Sequence, residues 1–456
     1  MKFNSTLCFA GLLLGSIPGA LSQDAKFAKA IDEYIDQRFE APAEATAALL
    51  EELRKAGMKN AEQLEDAIRA PRASYPEFPD LKGQMMTMAV ECYHVDYKTR
   101  TFLLGSPDLD LEKPVSLVVV GHGGNSSMTP QRAEATAEMY LKAYAPILKD
   151  WNAVLVVPSS SRGWGHIGNS LILSSISQVS RMIPVDPDRI YVTGQSMGGH
   201  MAFRAALILP DRWGAVSPHS GGYNFVEKGN IANLFAVPGY AVWGRTEPYG
   251  INTDNRANQR WAKEHGLDDW TWVEKNGGHT IYQDELPRIA KFFRDHPRNL
   301  YPSMVYFRMG GAMKFVKTWN VQGWPEHTIH SETRPLRWNQ RHWIEVEPRP
   351  DEKTPLEVLA TLSDEKPNHF EILTNHVRKL TMLIHPDRMK VDLSKPLSIS
   401  VNGKTEFSGI VKPDPAGMLN RVREYDDRGR IYHASVTLEL DSDQEINFEK
   451  ELASRR

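Results

Sequence analysis

Cysteine is nearly absent from this chain, with two residues in 456. Cys8 lies in an N-terminal apolar stretch and Cys92 is alone in everything that follows, so the body of the chain has no pair for an internal disulfide. Cys92 sits in the strand-like stretch Met88–Val95 and is expected as a buried structural thiol. An excess of charge of either sign is also missing. Lys and Arg number 54 against 57 Asp and Glu, for a formal net charge of -3. This removes the electrostatic ground for a nucleic-acid or anionic-membrane partner. Long apolar runs are lacking: Leu7–Leu14 is too short to cross a bilayer, no later segment approaches that requirement, and no membrane span is expected. Histidines and aspartates beyond position 320 show no metal-ligand spacing, and no dinucleotide or P-loop fingerprint occurs. Neither a metal nor a cofactor is therefore expected. No internal repeat or low-complexity tract stands out.

What is present starts with a leader pattern. Lys2 supplies a positive end, Leu7–Leu14 a short apolar centre, and Ala20-Leu21-Ser22 a small-x-small site. This reads as a secretory signal over residues 1–22, cleaved before Gln23, and places the mature protein outside the cell or in the periplasm. Residues 23–80 are rich in Ala, Glu, Lys and Leu at helical spacing and are expected to pack as a helical segment against the next domain. Over residues 81–300 apolar strands alternate with helix patterns, which predicts an α/β domain with a mostly parallel sheet of eight strands. Val115–Val120 is a continuous apolar run of the kind a strand covered on both faces needs. Residues 301–334 read as a connecting segment, and 335–456 as a C-terminal all-β, sandwich-like domain. Asn402-Gly403 between two β-type runs is a hairpin signal. The Trp count of 11 is high, and core packing accounts for most of these rings.

The most informative five residues are Gly194-Gln195-Ser196-Met197-Gly198. They follow the buried strand pattern Ile190–Thr193 and precede a helix pattern from Gly199 to Leu209, which stops at Pro210. Strand, sharp Gly-flanked turn and helix make a nucleophile elbow, as in α/β-hydrolases. Ser196 is the candidate nucleophile. Residues two before and two after it crowd each other, which is why glycine is needed at both.

A serine hydroxyl is a poor nucleophile at neutral pH and needs a base. In this fold the partners follow in the order Ser, acid, His, each after a later strand. His279 fits the last place, behind the strand pattern Trp270–Glu274 and the flexible Asn276-Gly277-Gly278. The acid should follow Tyr240–Trp243, where Glu247 stands close to the strand end and Asp254 is the alternative. The loop Gly121-His122-Gly123-Gly124-Asn125 follows the Val115–Val120 strand and is close to the HGGG-type oxyanion loop of esterases. The oxyanion donors are expected to be the N–H of Gly123 or Gly124 and that of Met197. His122, Trp164 and His219 lie at strand ends on the same edge and are candidates to line the substrate site. His200 is expected to pack inside its helix.

With these residues in place, the stretch Val185-Asp186-Pro187-Asp188-Arg189-Ile190-Tyr191-Val192-Thr193-Gly194-Gln195-Ser196-Met197-Gly198-Gly199 resembles the polyhydroxybutyrate-depolymerase and feruloyl-esterase branch of the α/β-hydrolases, together with their predicted-peptidase relatives of prolyl-oligopeptidase type. The similarity covers about residues 100 to 295. It implies Ser196, an acid and His279 as a triad, with no cofactor. The chain departs from the branch in having Glu247 where Asp is commoner, and in lacking the cysteine pairs of many secreted members. The expected activity is hydrolysis of a small-molecule or polymeric carboxylic ester through an acyl-serine. A serine peptidase with the same triad, and a carbohydrate- or polymer-binding protein with a vestigial hydrolase domain, are the alternatives.

Overall fold

The structure is a computed structural model that describes residues 21–76, 81–125, 127–225, 229–309, 333–337, 339–349, 355–363, 366–440 and 446–454. The leader pattern at 1–22 and the connecting segment at 301–334 lie largely outside these residues. Among the described residues no helix is long and apolar enough to cross a membrane.

The central sheet is built from β1 (Met85–Glu91), β2 (Lys98–Gly105), β3 (Val115–Gly121), β4 (Ala153–Pro158), β5 (Val185–Gln195), β6 (Val216–His219), β7 (Gly239–Gly244) and β8 (Trp270–Lys275). Their order is β1-β2-β4-β3-β5-β6-β7-β8. β1 pairs antiparallel with β2, and β2 with β4, while β3 to β8 run parallel. This is the α/β-hydrolase fold. Every residue of β3 and of β4 is buried, as their unbroken apolar sequence requires. One face is covered by α4 (Pro130–Tyr144) and α8 (Leu286–Asp295), through Tyr140, Tyr144, Ile289 and Phe293. The other is covered by α5 (His166–Ser180), α6 (Met197–Ile208) and α7 (Ile251–Glu264), through Leu171, Ile176, Phe203 and Ile251. Cys92 is buried, and its surroundings push the thiol up to about 12, so it stays protonated and inert.

The C-terminal part packs two sheets face to face. The first, β10-β11-β14-β17, joins Gln340–Arg341, Ile344–Pro348, Val377–Ile384 and Ala434–Glu439. The second, β16-β15-β13-β12-β9, joins Lys404–Gly409, Leu397–Val401, His369–Asn375, Leu356–Leu362 and Met304–Met309. Trp343, in the turn between β10 and β11, and Leu380 and Met382 of β14 meet Phe307, Phe370 and Ile399 from the second sheet in one core. Asn402 and Gly403 turn β15 into β16 with φ of 52° and 81°, as a tight hairpin needs.

Three expectations change. Met304–Met309, placed in the connecting segment by sequence, is the edge strand of the second sheet and pairs antiparallel with β12. Its alternating Val305 and Phe307 fill the sandwich core, so the β domain begins upstream of 335. That domain also carries helices, α9 (Pro386–Met389), α10 (Pro415–Tyr425) and α11 (Phe448–Ser454), and is not all-β. Finally, the N-terminal helices α1 (Leu21–Asp36), α2 (Ala45–Lys55) and α3 (Ala61–Arg69) complete their core with the C-terminal domain. Ile31, Leu53 and Ile68 pack with Met418, Leu419, Val422 and Ile431 around α10.

Buried ions link the parts. Asp427, just after α10, takes Arg298 at 2.5 Å and Arg212 at 2.8 Å, and Arg430 lies 3.5 Å away. Arg298 also reaches Asp188 in β5 at 2.8 Å, and Arg430 reaches Asp211 at 2.7 Å. Asp426 joins Arg181 after α5 and Arg38 after α1, both at 2.9 Å.

Candidate active site

Ser196, between β5 and α6, has φ 60° and ψ −119°, a conformation that L-residues seldom adopt. The backbone around it explains how this is held. A Cβ on Gly198 would lie 1.9 Å from the Gly121 carbonyl oxygen, and one on Gly194 would lie 2.4 Å from the same atom. β3 therefore presses on the turn so closely that only glycine fits at either position. The Ser196 N–H donates to the His219 carbonyl at the end of β6, at 3.0 Å. Strain of this kind survives because the neighbouring strands over-determine the turn.

The loops after β7 and β8 bring two more side chains to the serine. His279 Nε2 is 2.8 Å from Ser196 Oγ, and His279 Nδ1 is 2.6 Å from Glu247 Oε2. A carboxylate can only accept, so Nδ1 carries the proton and Nε2 presents its lone pair to the serine hydroxyl. The second oxygen of Glu247 accepts the Gly244 N–H at 3.0 Å, which fixes the carboxylate at the strand end. The two loops are tied together. A Cβ on Gly244 would lie 2.5 Å from the Gly277 and Gly278 carbonyls, and the Thr246 N–H donates to the Gly277 carbonyl at 3.0 Å. Ser220 Oγ donates to the Thr280 carbonyl at 2.9 Å, holding the far side of the histidine loop. Asp254, the alternative acid, is carried into the first turn of α7. Glu247 is the carboxylate bonded to His279.

The Gly121–Asn125 loop lies against the serine from the β3 side. A Cβ on Gly123 would be 3.3 Å from that of Ser196, and Gly124 has φ +123°. Met197 opens α6, and the first N–H groups of a helix have no partner within it. Gly123 thus lies against Ser196, Gly124 beside it packs on Met128, and Met197 follows the serine at the helix start.

The three residues read as candidates to line the substrate site do something else. His122, His219 and Trp164 are 0%, 0% and 1% exposed. The Ser160 N–H donates to His122 Nε2 at 2.9 Å, so Nδ1 carries the proton and donates to the Gly123 carbonyl at 2.7 Å. Burial pushes this imidazole down to about 4, and it stays neutral. Trp164 Nε1–H donates to the His122 carbonyl at 3.0 Å. His122 and Trp164 therefore hold the glycine loop from beneath. Burial likewise lowers His219 to about 4, and its ring packs 5.5 Å from that of Tyr144. Sequence placed all three at the correct sheet edge, but strand position cannot say whether a side chain there points outward or in. His200 bonds the Gly222 carbonyl through Nδ1 at 2.5 Å. Tyr140 and Gln195 were missed: the first lies in a helix with no catalytic motif, and the second fills a variable place in the pentapeptide.

A second convergence of ligand-type atoms lies far along the chain from this site. Glu65 of α3 meets His433 Nε2 at 2.7 Å and His385 Nε2 at 3.1 Å, with Arg69 at 3.1 Å from the same carboxylate. The Arg388 N–H donates to His385 Nδ1 at 3.4 Å, which leaves the His385 proton on Nε2, facing Glu65. This is a hydrogen-bonded clasp between helix and β domain. A metal would need that nitrogen bare.

Residues 176–295 match a family described as putative esterase. Poly(3-hydroxyalkanoate) depolymerase C from Paucimonas lemoignei is 26% identical over 151 residues, covering 30% of this chain and 35% of that protein. The chain thus spans about a third of the length of this curated relative. Among solved structures, a thermostable esterase aligns with TM-score 0.41 at 16% identity, over 48% of this chain and 64% of the other. An S-formylglutathione hydrolase from Staphylococcus aureus aligns with TM-score 0.36 at 14% identity, over 48% and 99%. Within an α/β-hydrolase fold set by its strand order, the segment that carries Ser196, Glu247 and His279 matches the putative esterases.

Proposed function

We propose that this chain is an exported serine hydrolase that cleaves carboxylic esters through an acyl-enzyme. The observation that carries the reading is the unbroken hydrogen-bonded path from Ser196 through His279 to Glu247, on a strained turn that exposes the hydroxyl. The leader pattern of residues 1–22 supports export. Ser196 Oγ attacks the ester carbonyl carbon while His279 Nε2 takes its proton. Glu247 holds the imidazole in the required tautomer and stabilises the imidazolium. N–H groups of Gly123 or Gly124 and of Met197 stabilise the oxyanion. As the tetrahedral species collapses, the C–O bond to the alcohol breaks and His279 returns the proton to the leaving oxygen. Water then repeats the sequence on the acyl-serine and releases the acid. The match to putative esterases and to a polyhydroxyalkanoate depolymerase favours ester over amide substrates, with a small-molecule or polymeric ester as partner.

The choice is tested with p-nitrophenyl acetate and butyrate, acetylated and hydroxycinnamoyl sugars, and short polyhydroxyalkanoates, each against a chromogenic peptide series. Ester turnover should dominate, and dominant peptide cleavage would assign a peptidase instead. The acid is tested separately. Glu247→Gln should lower kcat by about 10²- to 10⁴-fold, because the amide no longer fixes the tautomer or balances the imidazolium. Asp254→Asn should leave kcat within about twofold, the usual scale for a residue outside the reacting chain. The reverse ranking in steady-state assays would move the acid to α7.

A further inference from the structure

The glycine loop and the serine turn share a second link that the acyl-transfer chemistry alone does not require. Tyr140 projects from the third turn of α4 toward the loop after β3, and it is buried. Its hydroxyl lies 2.3 Å from where a Cβ of Gly123 would stand, so it fills the space that any side chain at 123 would need. The same hydroxyl donates to Gln195 Oε1 at 2.5 Å. Gln195 is the last residue of β5, adjoins Ser196 and is itself buried. Gly123 is thus gripped on two sides, with His122 Nδ1–H on its carbonyl and the Tyr140 hydroxyl against its α-carbon. Burial pushes the Tyr140 hydroxyl up to about 12, with the Gly123 backbone beside it opposing the shift, so at neutral pH it remains a donor. The Tyr140 ring stacks 6.2 Å from Tyr144 and meets His122 edge-on at 6.4 Å, which fixes its aim.

The geometry points to Tyr140 and Gln195 as a brace that locks the glycine loop to the serine turn, making Tyr140 a positioning residue for the oxyanion donors. The inference rests on the proposed acyl transfer and adds to it a determinant of where those donors stand. A buried hydroxyl bonded to a buried amide oxygen has one strong arrangement, because both groups are out of water and cannot exchange partners. Loop and serine then keep one separation as charge develops on the carbonyl oxygen. Donors that are already in place do not have to reorganise during the reaction.

The test uses the full chain carrying Tyr140→Phe, which removes one oxygen and keeps the ring. The variant should lose about 10- to 100-fold in kcat on p-nitrophenyl acetate with KM within about threefold, the pattern for misplaced transition-state donors. Its rate of labelling by a fluorophosphonate should fall by a similar factor, while thermal unfolding stays within a few degrees of wild type. Gly123→Ala drives a methyl into the hydroxyl and should be slower still, and the double variant should be faster than Gly123→Ala alone, because the oxygen is gone. A Tyr140→Phe protein with wild-type kcat and labelling rate overturns the brace. So does a kcat loss matched by an equal rise in KM and a collapse in melting temperature, which marks plain packing. Wild-type protein that neither turns over ester nor labels overturns this inference together with the esterase reading, whereas an active wild type with an unaffected variant overturns the brace alone.

Discussion

Ser196→Ala is expected to remove essentially all turnover, a fall in kcat of about 10⁴-fold or more, with the fold intact. The size of the effect follows from the division of labour in the site. In the proposed mechanism Glu247 and His279 act only through the Ser196 hydroxyl, so without it the His279–Glu247 pair has no nucleophile to activate. What remains is the oxyanion pocket and whatever binding the cleft provides, and these help water only weakly. Alanine is smaller than serine and places no new atom against Gly121 or Gly198, so circular dichroism and melting temperature should match wild type. Steady-state hydrolysis with the variant purified apart from wild type checks the loss. A variant that retains a tenth of the activity would mean that another group attacks the carbonyl.

Asp427→Ala should cost about 3–5 kcal/mol of stability. Its carboxylate is buried and faces Arg212, Arg298 and Arg430. Taking it away leaves three guanidinium groups in the interior short of a counter-ion, and Arg298 with Asp188 as its remaining carboxylate partner. Burial by itself would raise the Asp427 carboxyl, but Arg212 and Arg298 outweigh burial and hold it well below the usual carboxylate range. The sign of the pH dependence follows. A carboxyl whose folded pKa lies below its unfolded value, about 3.9, binds fewer protons when folded. Its stabilisation is complete above the unfolded value and is lost as pH falls from there through the folded pKa. Asp426, held low by Arg181 and Arg38 against the opposing effect of burial, acts in the same direction. Denaturant unfolding of wild type should weaken steeply below about pH 4, and Asp427→Ala should show both the lower stability and a shallower acid slope. An unchanged acid slope would contradict this role for Asp427.

The catalytic sheet was legible because its strands are local apolar runs. Val115–Val120, Ala153–Val157 and Tyr240–Trp243 each became a strand within a residue of either end. The order of Ser196, Glu247 and His279 was legible for a related reason: each follows a recognisable strand, so sheet topology brings them to one edge. Sequence could not place what depends on a distant partner. The burial of His122 needs Ser160 and Trp164, and that of His219 needs Tyr144. Met304–Met309 becomes a strand only because β12, some fifty residues on in the sequence, offers it an edge. Asp427 and its arginines come from positions separated by as much as 215 residues, and a charged residue in isolation reads as a surface residue. The helix Pro415–Tyr425 stands between β-type runs in a region whose pattern predicts a β domain, and its apolar Met418, Leu419 and Val422 serve a core shared with the distant N-terminal helices.

The central claim is that an acyl group passes through Ser196. The most direct measurement is to mix the protein with a chromogenic ester, quench in acid during the initial burst, digest, and locate the acyl group by mass spectrometry. The account predicts one acyl group on the peptide containing Ser196, absent from Ser196→Ala. Ester turnover with that peptide unmodified, or with the acyl group on another residue, would contradict it.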